Sequence, residues 1–283
     1  MNASPLRKRL NERDVSAKYD QLVARLKGDY VGFRWLRGPK IHEYYQTRES
    51  LMPELNHRDH FHRILEIGCG PGTWTNLLSG KCDELCAVDI SNEMVRLASS
   101  VVADNVRVVC ADFLDESLGF DQRFDAIYGI RVFEYFANKT KAMRRIARVL
   151  NQGGVLCLIV KNPWYLPTLV IKSLAKVAGP SRAEWLPRAI RELVCIYADE
   201  LHSHWVSASQ LKRMLVSEGF DHVQVYPAVI GLFYSRFNSR IFAPLYSFFD
   251  FVFDVVHRKT MPFILWPLVE SYLISGVKSR VGK

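Results

Sequence analysis

The run Ile64-Leu65-Glu66-Ile67-Gly68-Cys69-Gly70-Pro71-Gly72 constrains the fold more than any other part of this chain. Its apolar first half reads as a buried strand, and glycines at 68, 70 and 72 read as a tight turn. Glycine lets the backbone turn sharply and approach a ligand with no Cβ in the way, and Thr73 then opens a helix. Strand, glycine turn and helix in that order make a nucleotide-binding edge, one that dinucleotide folds also use.

Short apolar runs follow at 84–90 (ELCAVDI), 106–113 (VRVVCADF), 124–130 (FDAIYGI) and 150–161 (LNQGGVLCLIVK), with helical segments between them. The pattern predicts strands at 63–67, 84–89, 106–110, 124–129 and 154–160. Helices are expected at 14–26, 44–55, 73–79, 91–101 and 139–150. Such alternation implies a parallel sheet with helices on both faces, right-handed crossovers and a ligand at the carboxyl ends of the strands. Farther on, 207–219 reads as a helix with a Ser–Gln capping pair, and strands are expected at 220–226 and 272–278. Two stretches, 163–204 and 231–270, read as insertions.

With EIGCGPG, Asp89 closing the second strand, Ala111-Asp112-Phe113 and NQGGVLCL all in order, the chain resembles the class I S-adenosylmethionine-dependent methyltransferases. The resemblance is close over 60–161 and loose over 205–226. It implies an α/β fold: a Rossmann-like, doubly wound, mostly parallel seven-stranded sheet with helices on both faces and an antiparallel last strand. Residues 1–60 then form an N-terminal helical segment, and 61–283 the methyltransferase domain with its two helical insertions. S-adenosylmethionine is the implied cofactor.

Each part of that cofactor asks for a different residue type. Asp89 ends the second strand about 17 residues beyond the glycine turn, where a carboxylate accepts from both ribose hydroxyls. Ser91 serves better than Asp89 as the N-cap of the helix that follows. Asp112 is placed to accept from the adenine amino group, with the Phe113 N–H toward a ring nitrogen. Ile90 and Met94 are placed to sandwich the adenine. Gly68, Gly70 and Gly72 form the bend over which the cofactor lies, and Glu66 stands beside them toward its ammonium and sulfonium region. Arg48, on one helix face with Tyr44 and Tyr45, is a candidate for the carboxylate, as in some relatives.

A sulfonium is already an excellent leaving group, so alignment and exclusion of water matter most, and a base is needed only for a poorly nucleophilic acceptor. After the fourth strand, Arg131-Val132-Phe133-Glu134-Tyr135 resembles the Glu-His pattern of methyltransferases, with Glu134 as the acid and Tyr135 in the His position. Quinone-pathway O-methyltransferases hold a metal with a further acid where this chain has Arg131, so no metal is expected. Tyr135 is a candidate to polarise an acceptor hydroxyl and Arg131 to bind an anionic acceptor. Alternatively, Glu134 and Arg131 simply pair across one turn. Asn162-Pro163-Trp164 faintly resembles a DNA amino-methyltransferase motif, but it lacks the second proline and follows the fifth strand rather than the fourth.

The insertions are expected to choose the acceptor. Residues 164–177 read as an amphipathic helix, either a lid or a surface helix touching lipid. The runs IFAPLYSFFDFVFDVV and MPFILWPLVESYLISGV are broken by Asp250, Asp254 and Glu270, so neither spans a membrane. They read as a packed cap or as an interfacial segment flanked by basic residues, and both point to a hydrophobic or lipid-like small-molecule acceptor. A net charge of +9 permits an anionic partner, which keeps an RNA methyltransferase as the first alternative and a non-catalytic cofactor-binding module as the second. The six cysteines (69, 82, 86, 110, 157, 195) form no zinc set and read as buried reduced thiols. The N-terminus has no signal-peptide core, so a cytoplasmic location is expected, with the interfacial reading of the insertions adding a membrane-peripheral alternative.

Overall fold

The computed structural model describes residues 12–170, 173, 205–231, 243–256 and 263–280. Its centre is a seven-stranded sheet in the order β3-β2-β1-β4-β5-β7-β6. The strands are β1 Phe61–Ile67, β2 Cys82–Asp89, β3 Val106–Cys110, β4 Phe124–Ile130, β5 Leu150–Lys161, β6 Phe220–Ile230 and β7 Val269–Lys278. Neighbours from β3 through β5 pair in parallel, and β7 runs antiparallel to both β5 and β6. That is the fold class implied by the sequence.

Alternation along the strands sends successive side chains to opposite faces, and each face has its own core. Leu65, Ile67, Ile127, Leu156 and Leu158 pack on one face against α5 (Lys139–Val149) and α6 (Ala208–Ser217). Ile64, Leu85, Ala126, Tyr128, Cys157 and Ile159 pack on the other against Leu51 and Leu55 of α2 (Lys40–Leu55) and Leu78 of α3 (Thr75–Ser79). The α3 helix begins at Thr75, two residues later than expected, and the turn before it includes Gly72 at φ +83°. The expected capping box of α6 is present: Ser207 and Gln210 satisfy each other's backbone N–H groups.

The N-terminal segment packs onto this sheet. In α1 (Glu12–Arg25), Ser16 donates to the Ile90 carbonyl (3.0 Å), and an Asp20 oxygen accepts from Ser91 Oγ (2.6 Å) and the Glu93 N–H (3.1 Å). Ser91 itself caps α4 (Asn92–Ser99). On α2, Ser50 donates to the Ala228 carbonyl, and Gln46 bridges the Ile230 N–H to Asp250.

Within the C-terminal insertion, α7 (Ala243–Val256) buries Tyr246, Phe249 and Phe253 against the core and leaves Phe248, Phe251 and Val255 exposed. It is a packed cap with one apolar outer stripe. Among the described residues no helix is long and apolar enough to cross a membrane. Of the helix expected at 164–177, residues 166–170 and 173 are helical and 164–165 are not, while 171–172 and 174–204 lie outside the described residues. Asn162 is buried, donating to the Trp266 and Val269 carbonyls (3.0 and 2.9 Å), so its place in Asn-Pro-Trp ties the end of β5 to the start of β7. Cys69, Cys82 and Cys157 are buried free thiols as expected, but Cys110 is exposed because β3 is the edge strand.

Candidate active site

The glycine bend lies at the carboxyl end of β1, under one wall of a cavity of about 750 Å³. Gly68, at φ +70°, has no room for a Cβ: one would overlap Val132 Cγ2. Gly70, at φ +53°, has nothing within 4 Å of that position, so its backbone lies open to the cavity. Beside it, Asp89 Oδ2 accepts from the Gly70 N–H (2.8 Å) and Oδ1 from the Ser91 N–H (2.9 Å). Burial raises the Asp89 pKa, and those N–H groups pull it back down. Each oxygen keeps a lone pair for a ligand. Ile90, Met94, Asp112 and Phe113 continue the same wall.

Three expected cofactor residues are not on that wall. Glu66 is buried on the α2–α3 side of the sheet, where its Oε2 accepts from Thr75 Oγ1 (2.6 Å). Burial, opposed by that hydrogen bond and helped by Asp89, pushes its pKa up to about 8. Glu66 therefore lies off the cavity wall, apart from where the sequence expectation put it. Gly72 packs instead against the Ala98 backbone of α4, at 3.3 Å from where its Cβ would sit. Arg48 is partly exposed and paired with Glu49 (2.6 Å), while its neighbour Tyr44 stacks on Trp74.

Aromatic side chains form the middle of the cavity. Trp35 and Trp74 meet edge to face at 5.1 Å, and Phe113 and Phe136 lie 6.0 Å apart. From α1, Tyr19 donates to the Tyr135 hydroxyl (2.8 Å), and both rings line the cavity. Burial raises the Tyr19 pKa well above its ordinary value, with Tyr135 adding to the effect.

The opposite end is a charged nest drawn from five elements. Arg34, in a π-helical turn at Gly32–Leu36, grips Glu43 of α2 with two hydrogen bonds of 2.9 and 2.6 Å. Arg131 also reaches Glu43 (3.1 Å), and it bonds Ser271 Oγ (2.8 Å) and Glu134 Oε1 (3.2 Å). Burial pushes Glu43 up, but the two guanidiniums outweigh it and hold its pKa down at about 2. Arg131 takes a left-handed backbone, φ +61°, which is rare without glycine, and its N–H donates to the Ile159 carbonyl (2.8 Å). Glu134 is 2% exposed and its Oε2 has no hydrogen-bond partner among the described residues. The Arg131–Glu134 pair read from the sequence is therefore present, as part of a larger network.

Lys161 and Glu270 complete the nest. Burial and the nearby Glu43 push Glu270 up to about 7, against the pull of Arg131, Lys161 and Arg34. The sequence reading missed Arg34, Glu43, Lys161 and Glu270 as site residues. A signal for Glu270 was available, since a lone acid in an apolar run at a strand start is costly unless it is used. Nothing local marks the other three. Among the described residues no group of three or more His, Cys, Asp or Glu is arranged to hold a metal.

Residues 64–154 match the model of a family described as a methyltransferase domain. The chain is 26% identical over 183 residues to a ubiquinone biosynthesis O-methyltransferase of Agrobacterium fabrum, covering 63% of this chain and 65% of that one. It is 34% identical over 96 residues to a malonyl-[acyl-carrier protein] O-methyltransferase of Priestia megaterium, covering 33% and 34%. The chain thus spans less than two thirds of the length of these relatives. Among solved structures, the N-methyltransferase NodS from Bradyrhizobium japonicum, in complex with S-adenosyl-L-homocysteine, superposes with a TM-score of 0.58 at 14% identity over 93% of this chain and 99% of that one. Sheet order, glycine bend and these matches agree: residues 64–154 carry a methyltransferase domain, and the chain is similar to the class I S-adenosylmethionine-dependent methyltransferases.

Proposed function

We propose that this protein transfers a methyl group from S-adenosylmethionine to a small molecule with an apolar, ring-bearing body. The observation that carries the reading is the continuity of one cavity, from the glycine bend past the Trp35 and Trp74 rings to the charged nest. The residues at the bend suit the cofactor: open backbone at Gly70, spare acceptor capacity on Asp89, and the Asp112 carboxylate farther along. Asp89 would hold the ribose diol, and Ile90 and Met94 would flank the base. When bound, the cofactor supplies an electrophilic methyl on a sulfonium.

The chain's own residues then align the acceptor and exclude water. The aromatic middle favours a flat apolar body and, with Tyr19 and Tyr135 over it, limits solvent access. The names of the relatives support small-molecule O-methylation in particular. The test is to incubate the protein with methyl-labelled S-adenosylmethionine and separate fractions of a cell extract. The reading expects label in an organic-extractable product of low mass; label in RNA alone would overturn it.

A further inference from the structure

The charged nest contains three acids, and their surroundings differ. Glu43 is saturated by two guanidiniums and is too weak a base to take a proton at neutral pH. Glu134 gives one oxygen to Arg131 and is sealed from bulk solvent, so it orients that guanidinium. The Glu270 carboxyl, on the cavity wall, makes no hydrogen bond or ion pair among the described residues. Its backbone is well fixed: the Glu270 carbonyl accepts from the Asn162 N–H (2.9 Å), and the adjacent Ser271 pairs with Lys161 in the sheet. Because β7 runs antiparallel, its first residues lie where the parallel strands end, which is where a ligand sits in this architecture.

We propose, building on the methyltransferase reading, that Glu270 is the general base of this site and that the acceptor is an aryl hydroxyl presented to it. The groups facing Glu270 are Arg34 from the π-helical turn, Glu43 from α2, Arg131 and Glu134 after β4, and Lys161 from β5. The three cations keep its ionised form accessible, and burial with Glu43 keeps it basic, so it is poised near 7. In the step, a lone pair on the acceptor oxygen forms the new O–CH₃ bond while the S–CH₃ electron pair stays on sulfur, turning sulfonium into thioether. The O–H proton passes to a Glu270 oxygen, turning carboxylate into carboxylic acid, and returns to water after product leaves. Total charge is unchanged.

The experiment uses the full chain, S-adenosylhomocysteine and catechol, a neutral aryl diol at the pH values used. Calorimetry of S-adenosylhomocysteine comes first, on wild type, Glu270→Gln and Glu270→Asp. Binding within about twofold across the three shows that the variants keep the fold. Catechol is then titrated into each complex at pH 6 and pH 8. A carboxylate that must be ionised to accept the catechol proton predicts wild-type binding about tenfold tighter at pH 8, and no pH difference in Glu270→Gln. With S-adenosylmethionine, methylation of catechol should fall by about 10²–10⁴ in Glu270→Gln, with partial recovery in Glu270→Asp. Absence of heat with S-adenosylhomocysteine overturns the cofactor reading and this proposal with it. Normal cofactor heat with catechol binding that is absent, or independent of pH in wild type, overturns the Glu270 assignment alone.

Discussion

The two ends of the cavity are built in opposite ways. The bend end takes its groups from consecutive residues: Gly68 and Gly70 from one turn, Asp89 and Ile90 from one strand end, Asp112 and Phe113 from another. The nest end takes single residues from distant elements: Arg34, Glu43, Arg131, Lys161 and Glu270. A site made of backbone geometry and short motifs is rigid and local, and it suits a ligand common to a whole family. A site made of long charged side chains from many elements changes by single substitutions, and it suits the part of chemistry that differs between relatives.

The largest effect should come from breaking the nest at its most shared member. Glu43→Gln leaves the Arg34 guanidinium without its buried counter-charge and Arg131 with Glu134 alone, and breaking a buried pair costs about 3–5 kcal/mol. Denaturant unfolding should report that loss. Asp89→Ala removes a charged acceptor from the bend and should weaken S-adenosylhomocysteine binding by about 100-fold in calorimetry, with thermal stability little altered beyond the two lost N–H partners. If Asp89→Ala destabilises more than Glu43→Gln does, the contrast between a geometric end and a charge-held end is wrong.

Gly70→Ala sharpens the same contrast. A Cβ there meets nothing, so only the φ of +53° resists it, at about 1–2 kcal/mol in stability. Its methyl projects from the open bend and should reduce cofactor affinity by more than that strain reduces stability. Glu66→Gln tests the correction made at the bend. A carboxyl raised from about 4.5 unfolded to about 8 folded stabilises fully below pH 4.5, and its contribution is lost as pH rises toward 8. Thermal melts of Glu66→Gln should therefore lose less between pH 5 and pH 8.5 than those of wild type. Arg48→Ala should be the smallest, changing cofactor affinity by less than about twofold and stability by about 0.5 kcal/mol or less, since exposed Arg48 has only the half-buried Glu49 as an ion-pair partner among the described residues.

The bend end was legible in the sequence because its information is local. EIGCGPG specifies strand end and turn within seven residues of chain, α3 starts three residues beyond it, and Asp89 and Asp112 each close an apolar run. Glu66 lies off the cavity wall for a physical reason: alternation along β1 sends it to the core face with Ile64, and the hydroxyl of Thr75, nine residues on, makes its burial tolerable. The nest was not legible. Arg34 and Glu43 precede the recognisable motifs, and their meeting with Arg131 depends on how α2 packs against β6 through Gln46 and Ser50. Glu270 appeared only as a charge interrupting an apolar run. Its role emerges once β7 starts at Val269 rather than at 272 and runs antiparallel to β5, bringing it to the edge where β4 and β5 end.

The most direct measurement of the central claim is a crystal structure of the full chain grown with S-adenosylhomocysteine and catechol. The account predicts the ribose hydroxyls on Asp89, the thioether sulfur pointing toward Arg131, and a catechol oxygen within hydrogen-bond distance of Glu270. A nucleoside lying elsewhere, or a catechol ring bound away from the nest, would contradict it.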